Sequence, residues 1–71
     1  MKYFYLTFSF CAPNGVQGTG YKVCCALPGQ FLISNVILKL NKQFGKAVVT
    51  YTQEISEVDY FKFSEDSRLI I

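Results

Sequence analysis

Seventy-one residues with a formal charge of +2, 51% hydrophobic and 17% aromatic, describe one small α+β-sized domain, 1–71, rather than a disordered or multidomain chain. With no histidine and only three cysteines, the sequence lacks the usual general base and the usual ligands of a tetrahedral zinc site. It therefore reads as a non-enzyme with no catalytic residue, no metal site and no cofactor.

Tyr3 to Phe10 alternates Phe4, Leu6, Phe8 and Phe10 with Tyr3, Tyr5, Thr7 and Ser9. A strand pleat sends successive side chains to opposite faces, so this is a half-buried strand with a Phe-rich inner side. Its outer side carries two tyrosines where solvent would accept Lys or Glu, which marks a contact surface. Pro13 to Gly20 is turn chemistry, and Asn14-Gly15 is the strongest two-residue hairpin signal. A turn there sets Phe8 opposite Tyr21, Leu6 opposite Val23 and Phe4 opposite Cys25. A turn at Gln17-Gly18 instead sets Phe10 opposite Cys25 and Cys11 opposite Cys24, and both registers remain open. Gly15, Gly18 and Gly20 read as a glycine-rich hairpin loop, since a phosphate cradle would open a helix and this segment opens a strand.

The second strand spans about Tyr21 to Leu27, with Cys25 expected in the core and Cys24 and Cys11 on the outer face. Pro28-Gly29 breaks it. Gln30 to Phe44 reads as a helix closed by Gly45 at C′. Ile33, Val36, Ile37, Leu40 and Phe44 form its core stripe, while Phe31 and Leu38 fall nearly opposite and imply a second cover. Lys46 to Ile55 is a third strand rich in β-branched and aromatic residues, with Val49, Tyr51 and Ile55 as its inward side. Ser56-Glu57-Val58-Asp59 resembles a capping box opening a short helix to about Phe63. The apolar Leu69-Ile70-Ile71 is expected to be covered, and a fourth terminal strand is one way to cover it.

A helical crossover makes strands two and three parallel to each other. Placing strand one between them gives an antiparallel sheet of order 2-1-3. The expected architecture is a two-layer α+β sandwich, ββαβα, with the main helix on one sheet face. This layout, with the junction Glu54-Ile55-Ser56-Glu57 and Asp59-Tyr60, resembles small uncharacterised proteins of gut Bacteroidales genomes and their mobile elements. That resemblance implies no activity.

The charge is segregated. Lys2, Lys22, Lys39, Lys42 and Lys46 precede residue 54 with no acidic residue among them, whereas Glu54, Glu57, Asp59, Glu65 and Asp66 crowd the C-terminal quarter. Such asymmetry can mark a nucleic-acid or membrane contact or an acidic tail, but the favoured expectation is that the acidic segment folds back on the basic body or pairs with a second copy head to tail. No run approaches the roughly 20 apolar residues of a membrane span, and the N-terminal run is alternating, with Phe10 before Cys11, unlike a signal peptide or lipoprotein site. An odd cysteine count agrees with a cytoplasmic location.

Seven Phe and five Tyr exceed what so small a domain easily hides. The leading expectation is a protein-protein interaction module that self-associates as a homo-oligomer, through either the sheet face of Tyr3, Tyr5, Thr7 and Lys22 or the helix side of Phe31 and Leu38. If the tyrosine face is that surface, Tyr3→Ala with Tyr5→Ala weakens assembly and leaves the fold intact. The alternative is single-stranded nucleic-acid binding by tyrosine stacking on the open sheet face. It is disfavoured because the only arginine is Arg68, near the C-terminus.

Overall fold

A computed structural model of the chain describes residues 1–31 and 33–70. Leu32, inside the expected helix, and Ile71, last of the expected apolar trio, lie outside the described residues. The elements are β1 (Lys2–Cys11), β2 (Gln17–Ala26), α1 (Ile33–Phe44), β3 (Lys46–Ile55) and α2 (Glu57–Lys62), followed by a single 3₁₀ turn at Glu65–Ser67. The sheet order is β2-β1-β3 with both pairings antiparallel. This is the expected α+β layout, with the Phe-rich strand at the centre.

The hairpin register differs from both expected ones. Cys11 lies opposite Gln17, Phe8 opposite Gly20, Leu6 opposite Lys22 and Phe4 opposite Cys24. Gly15 takes a left-handed φ of 87° and donates its N–H to the Ala12 carbonyl, while Ala12 N–H bonds the Val16 carbonyl. The loop is thus a three-residue turn ending in a left-handed glycine, one residue longer than the two-residue Asn14-Gly15 turn. A slip of one residue exchanges the faces of the whole second strand. Cys24 consequently points into the core and is fully buried, whereas Cys25 shares the outer face with Tyr21 and Val23, which reverses the expected roles of the two thiols.

Gly18 and Gly20 belong to β2 rather than to a flexible loop. A Cβ at Gly20 would stand 2.9 Å from Phe8 Cζ, and one at Gly18 2.7 Å from Phe10 Cζ. The missing side chains let the two Phe rings lie across the neighbouring strand, a known way of covering strand glycines.

Helix α1 packs Val36 and Leu40, both fully buried, on the inner face with Leu6, Phe8, Cys24, Ala47 and Leu69. Phe44 in its last turn meets Phe8 at 5.0 Å and Phe10 at 5.1 Å between ring centroids. The helix ends at Gly45 as expected, with φ 107° and its N–H on the Asn41 carbonyl. Asn41 Oδ1 also accepts from Ala47 N–H at 2.8 Å, tying the helix end to β3. The described helix starts later than Gln30. Phe31 therefore precedes it and stacks on Phe4 at 4.1 Å, inside the inner layer rather than on a second apolar side of α1. Ile33, expected in the core stripe, is 40% exposed.

The β1–β3 pairing shifts between Thr7, opposite Tyr51, and Phe8, opposite Val49. Thr50 is the extra residue of a β-bulge. Ala47 and Val49 face inward before it. After it the outward side passes to Tyr51, Gln53 and Ile55, so Val49 is inward as expected but Tyr51 and Ile55 are not. Exposure follows the same rule, since Thr50 and Tyr51 are exposed in succession.

Ser56 caps α2, its Oγ accepting from Asp59 N–H at 3.1 Å. The helix lies on the sheet face opposite α1, adding a partial third layer where the sequence suggests an open surface. After the 3₁₀ turn, Leu69 N–H bonds the Val23 carbonyl at 2.7 Å, and Arg68 forms a single parallel bridge with Val23. This bridge replaces the expected terminal strand. Leu69 enters the core at 3% exposure, while Ile70 is 84% exposed, so the expectation of cover fails at Ile70.

Candidate interaction surface

Tyr3 and Tyr5 are half-buried beneath the chain's own C-terminal aromatics. Tyr3 meets Tyr60 at 4.8 Å and Phe61 at 6.2 Å. Tyr5 and Tyr21 both meet Phe63 at 5.8 Å. Arg68 crosses the bridge to the same face, its guanidinium 5.4 Å from the Tyr60 ring centroid and 5.2 Å from that of Phe61. Among the described residues its buried Nε finds no acceptor, so the two ring faces are its main compensation. Burial, with Glu57 close by, raises the Tyr3 phenol above its ordinary value. Burial also raises the Tyr60 phenol, Cys25 adds to the rise, and Arg68 opposes it.

The other expected surface residues are dispersed. Thr7 hydrogen-bonds the Thr50 hydroxyl at 2.8 Å. Lys22 reaches round the β2 edge to donate to the Asp66 carbonyl at 2.9 Å, with Nζ 5.6 Å from the Phe44 ring centroid. Phe31 lies in the inner layer, and Leu38 stands alone on α1 at 60% exposure. Phe31 and Leu38 therefore share no helix side.

The remaining accessible part of the outer face lies beyond the reach of α2. Thr7, Thr19, Tyr21 and Thr50 line a shallow depression there. Val48 and Tyr51 flank it on β3, 64% and 53% exposed. Tyr51 Oη donates to Gln53 Oε1 at 2.9 Å. Three Thr hydroxyls and a few apolar side chains provide no nucleophile-base pair, and among the described residues no three His, Cys, Asp or Glu side chains converge on a metal position. Burial pushes the Cys24 thiol up to about 11, away from the thiolate form that nucleophilic chemistry needs.

The two sheet edges are unequal. The outer edge of β2 carries the Val23–Arg68 bridge. Strand β3 pairs only with β1, and among the described residues nothing pairs with its other side. Ten residues at about 3.3 Å each give an unpaired edge of roughly 33 Å, nearly the 36 Å length of the molecule. Natural edges are commonly guarded by a central Lys, a Pro or a short strand. Ala47 to Gln53 contains no charge and no proline, and the bulge at Thr50 is the only irregularity. The sheet order and the uncharged run are both readable from sequence, so this unpaired edge is a candidate contact element that a reading centred on Tyr3 and Tyr5 misses.

Comparison of the chain with protein-family models, with curated proteins and with solved structures gives no match. No described helix is long and apolar enough to cross a membrane.

Proposed function

We propose that this chain is a small protein-interaction module that self-associates by strand addition at the free edge of β3. The observation that carries the reading is a ten-residue edge with an uncharged centre, opposite an edge already occupied by Arg68 and Leu69. An unpaired strand presents a row of backbone donors and acceptors, and another strand satisfies them in alternation while side chains supply selectivity. A contact of one strand pair falls at the small end of specific interfaces, below about 1,200 Å², so assembly depends on concentration. The three free thiols suit a reducing compartment such as the cytoplasm.

Base stacking is the weaker reading. Tyr3 and Tyr5 are engaged with Tyr60, Phe61 and Phe63, and only Tyr21 and Tyr51 remain exposed on that face.

Light scattering after size exclusion, over a range of loading concentrations, tests the proposal. Val48→Lys with Tyr51→Lys places two charges on the exposed side of β3 and removes no buried contact. The wild-type chain is expected to exceed monomer mass as concentration rises, and the double variant to stay monomeric with an unchanged circular dichroism spectrum. Equal masses for the two proteins would sink the proposal.

A further inference from the structure

The bulge in β3 divides the strand into two halves of opposite parity. Val48 and Thr50 face outward in the first half, and Tyr51 and Gln53 in the second, with Val49 and Thr52 inward. Two strands that extend one continuous sheet must set outward residues opposite outward residues, because directly opposed side chains share a face. An ordinary strand meets this condition in every second register. Strand β1 meets it across the switch by setting the single residue Thr7 against Thr50 and Tyr51; a partner that pairs residue for residue along the whole length needs the same switch in its own chain.

Resting on the proposed role of this edge, we infer that its partner is a second copy of the chain, related by a two-fold axis, in the antiparallel register that sets Thr50 of each copy opposite Tyr51 of the other. In that register Val49 faces Thr52 and Val48 faces Gln53, so every inward residue meets an inward one. A slip of one residue puts inward Val49 against outward Tyr51. A slip of two brings Val49 against Thr50 in one direction and Tyr51 against Thr52 in the other. The two-fold is isologous, as most soluble homodimers are.

Two further features of β3 agree with this partner. Val48 and Tyr51, its two large exposed apolar side chains, become diagonal neighbours across the joint, within reach of an aromatic ring. Each covers what the single copy leaves in water. The charges are also self-complementary. Lys42 and Lys46 lie at the end where β3 begins, and Glu54 and Glu57 lie where it finishes. An antiparallel two-fold brings the basic end of each copy to the acidic end of the other, and a parallel pairing would set like charges together. Exposed charges are screened by salt, so the association weakens as ionic strength rises.

Directed disulfide formation tests the register. Full-length chains carrying Cys11→Ser and Cys25→Ala keep only the buried Cys24. Copies with Val48→Cys are mixed with copies bearing Gln53→Cys under mild oxidation, and linked peptides are read by mass spectrometry. The expected product is a mixed 48–53 disulfide, since opposed strand positions fall within the Cα separation that a disulfide spans. Val48→Cys copies alone should not link, because their thiols sit about five residues apart along the joint, roughly 17 Å. A dimer by light scattering that lacks the mixed link, or that links Val48→Cys to itself, overturns the register and leaves edge association standing. A chain that stays monomeric overturns both. Binding of a different protein's strand by such a monomer would show that the edge recruits another partner and would refute the second-copy assignment.

Discussion

Replacing Tyr60 by Ala tests whether the C-terminal aromatics hold the outer face closed. Tyr60 is 7% exposed, lies 4.8 Å from Tyr3, meets Phe61 edge-on at 5.0 Å and supports the Arg68 guanidinium. Truncating a buried aromatic to Ala costs about 3–5 kcal/mol. The thin cover given by a six-residue helix argues for the lower end, about 3 kcal/mol. A 71-residue chain at roughly 0.05–0.15 kcal/mol per residue has about 4–11 kcal/mol in all, so this one ring carries a large share. With a urea slope of about 1 kcal/mol per molar, the midpoint should fall by about 3 M. Tyr60→Phe keeps the ring under Arg68, loses only the hydroxyl and should cost less than about 1.5 kcal/mol. Urea titration followed by circular dichroism measures both. A Tyr60→Ala midpoint indistinguishable from wild type would refute the packing of α2 on Tyr3 and Tyr5. The same packing implies that Tyr3→Ala with Tyr5→Ala destabilises the fold, contrary to the expectation drawn from sequence.

Gly20→Ala should destabilise by about 1–3 kcal/mol, because its Cβ meets Phe8, a ring held at 2% exposure; chemical denaturation would reveal a neutral outcome and count against the ring-over-glycine contact. Leu69→Ala should cost about 2–5 kcal/mol, whereas Ile70→Ser should stay within about 0.5 kcal/mol, and equal effects in a thermal melt would deny the anchoring of the C-terminal segment. Stability should fall between pH 9 and 11. Burial raises the Cys24 thiol from 9.0 to about 11, so the folded chain retains a proton that the unfolded chain has released, and roughly 2–3 kcal/mol is lost across that window. The raised Tyr3 and Tyr60 phenols act in the same direction above pH 10. Cys24→Ala should flatten the slope, as read by denaturation midpoints at each pH, and an unchanged slope would deny the burial of that thiol.

The elements that sequence makes legible are those fixed by local pattern. Alternation at Phe4, Leu6, Phe8 and Phe10, the Val36–Leu40 stripe, Gly45 as helix stop and Ser56 as cap all reappear in the structure, and crossover geometry orders the strands. What escapes is decided by single residues or by distant contacts. Gly15 lengthens the turn by one position and so exchanges the roles of Cys24 and Cys25. The bulge at Thr50 turns Tyr51 and Ile55 outward, and no composition signal marks it. The side on which α2 docks depends on Tyr60, Phe61 and Phe63 meeting Tyr3, Tyr5 and Tyr21 from far along the chain. That meeting half-buries Tyr3 and Tyr5 and leaves the unpaired β3 edge as the element on which the proposed contact rests.

The central claim concerns the backbone of β3, and amide hydrogen exchange at low and high protein concentration reads that backbone directly. The amides of β3 that point away from β1 should exchange quickly in dilute solution and gain protection as the concentration rises, in alternation on each side of the bulge at Thr50. Exchange in β3 that is independent of concentration, in a sample whose mass shows assembly, would place the contact elsewhere on the molecule and contradict the account.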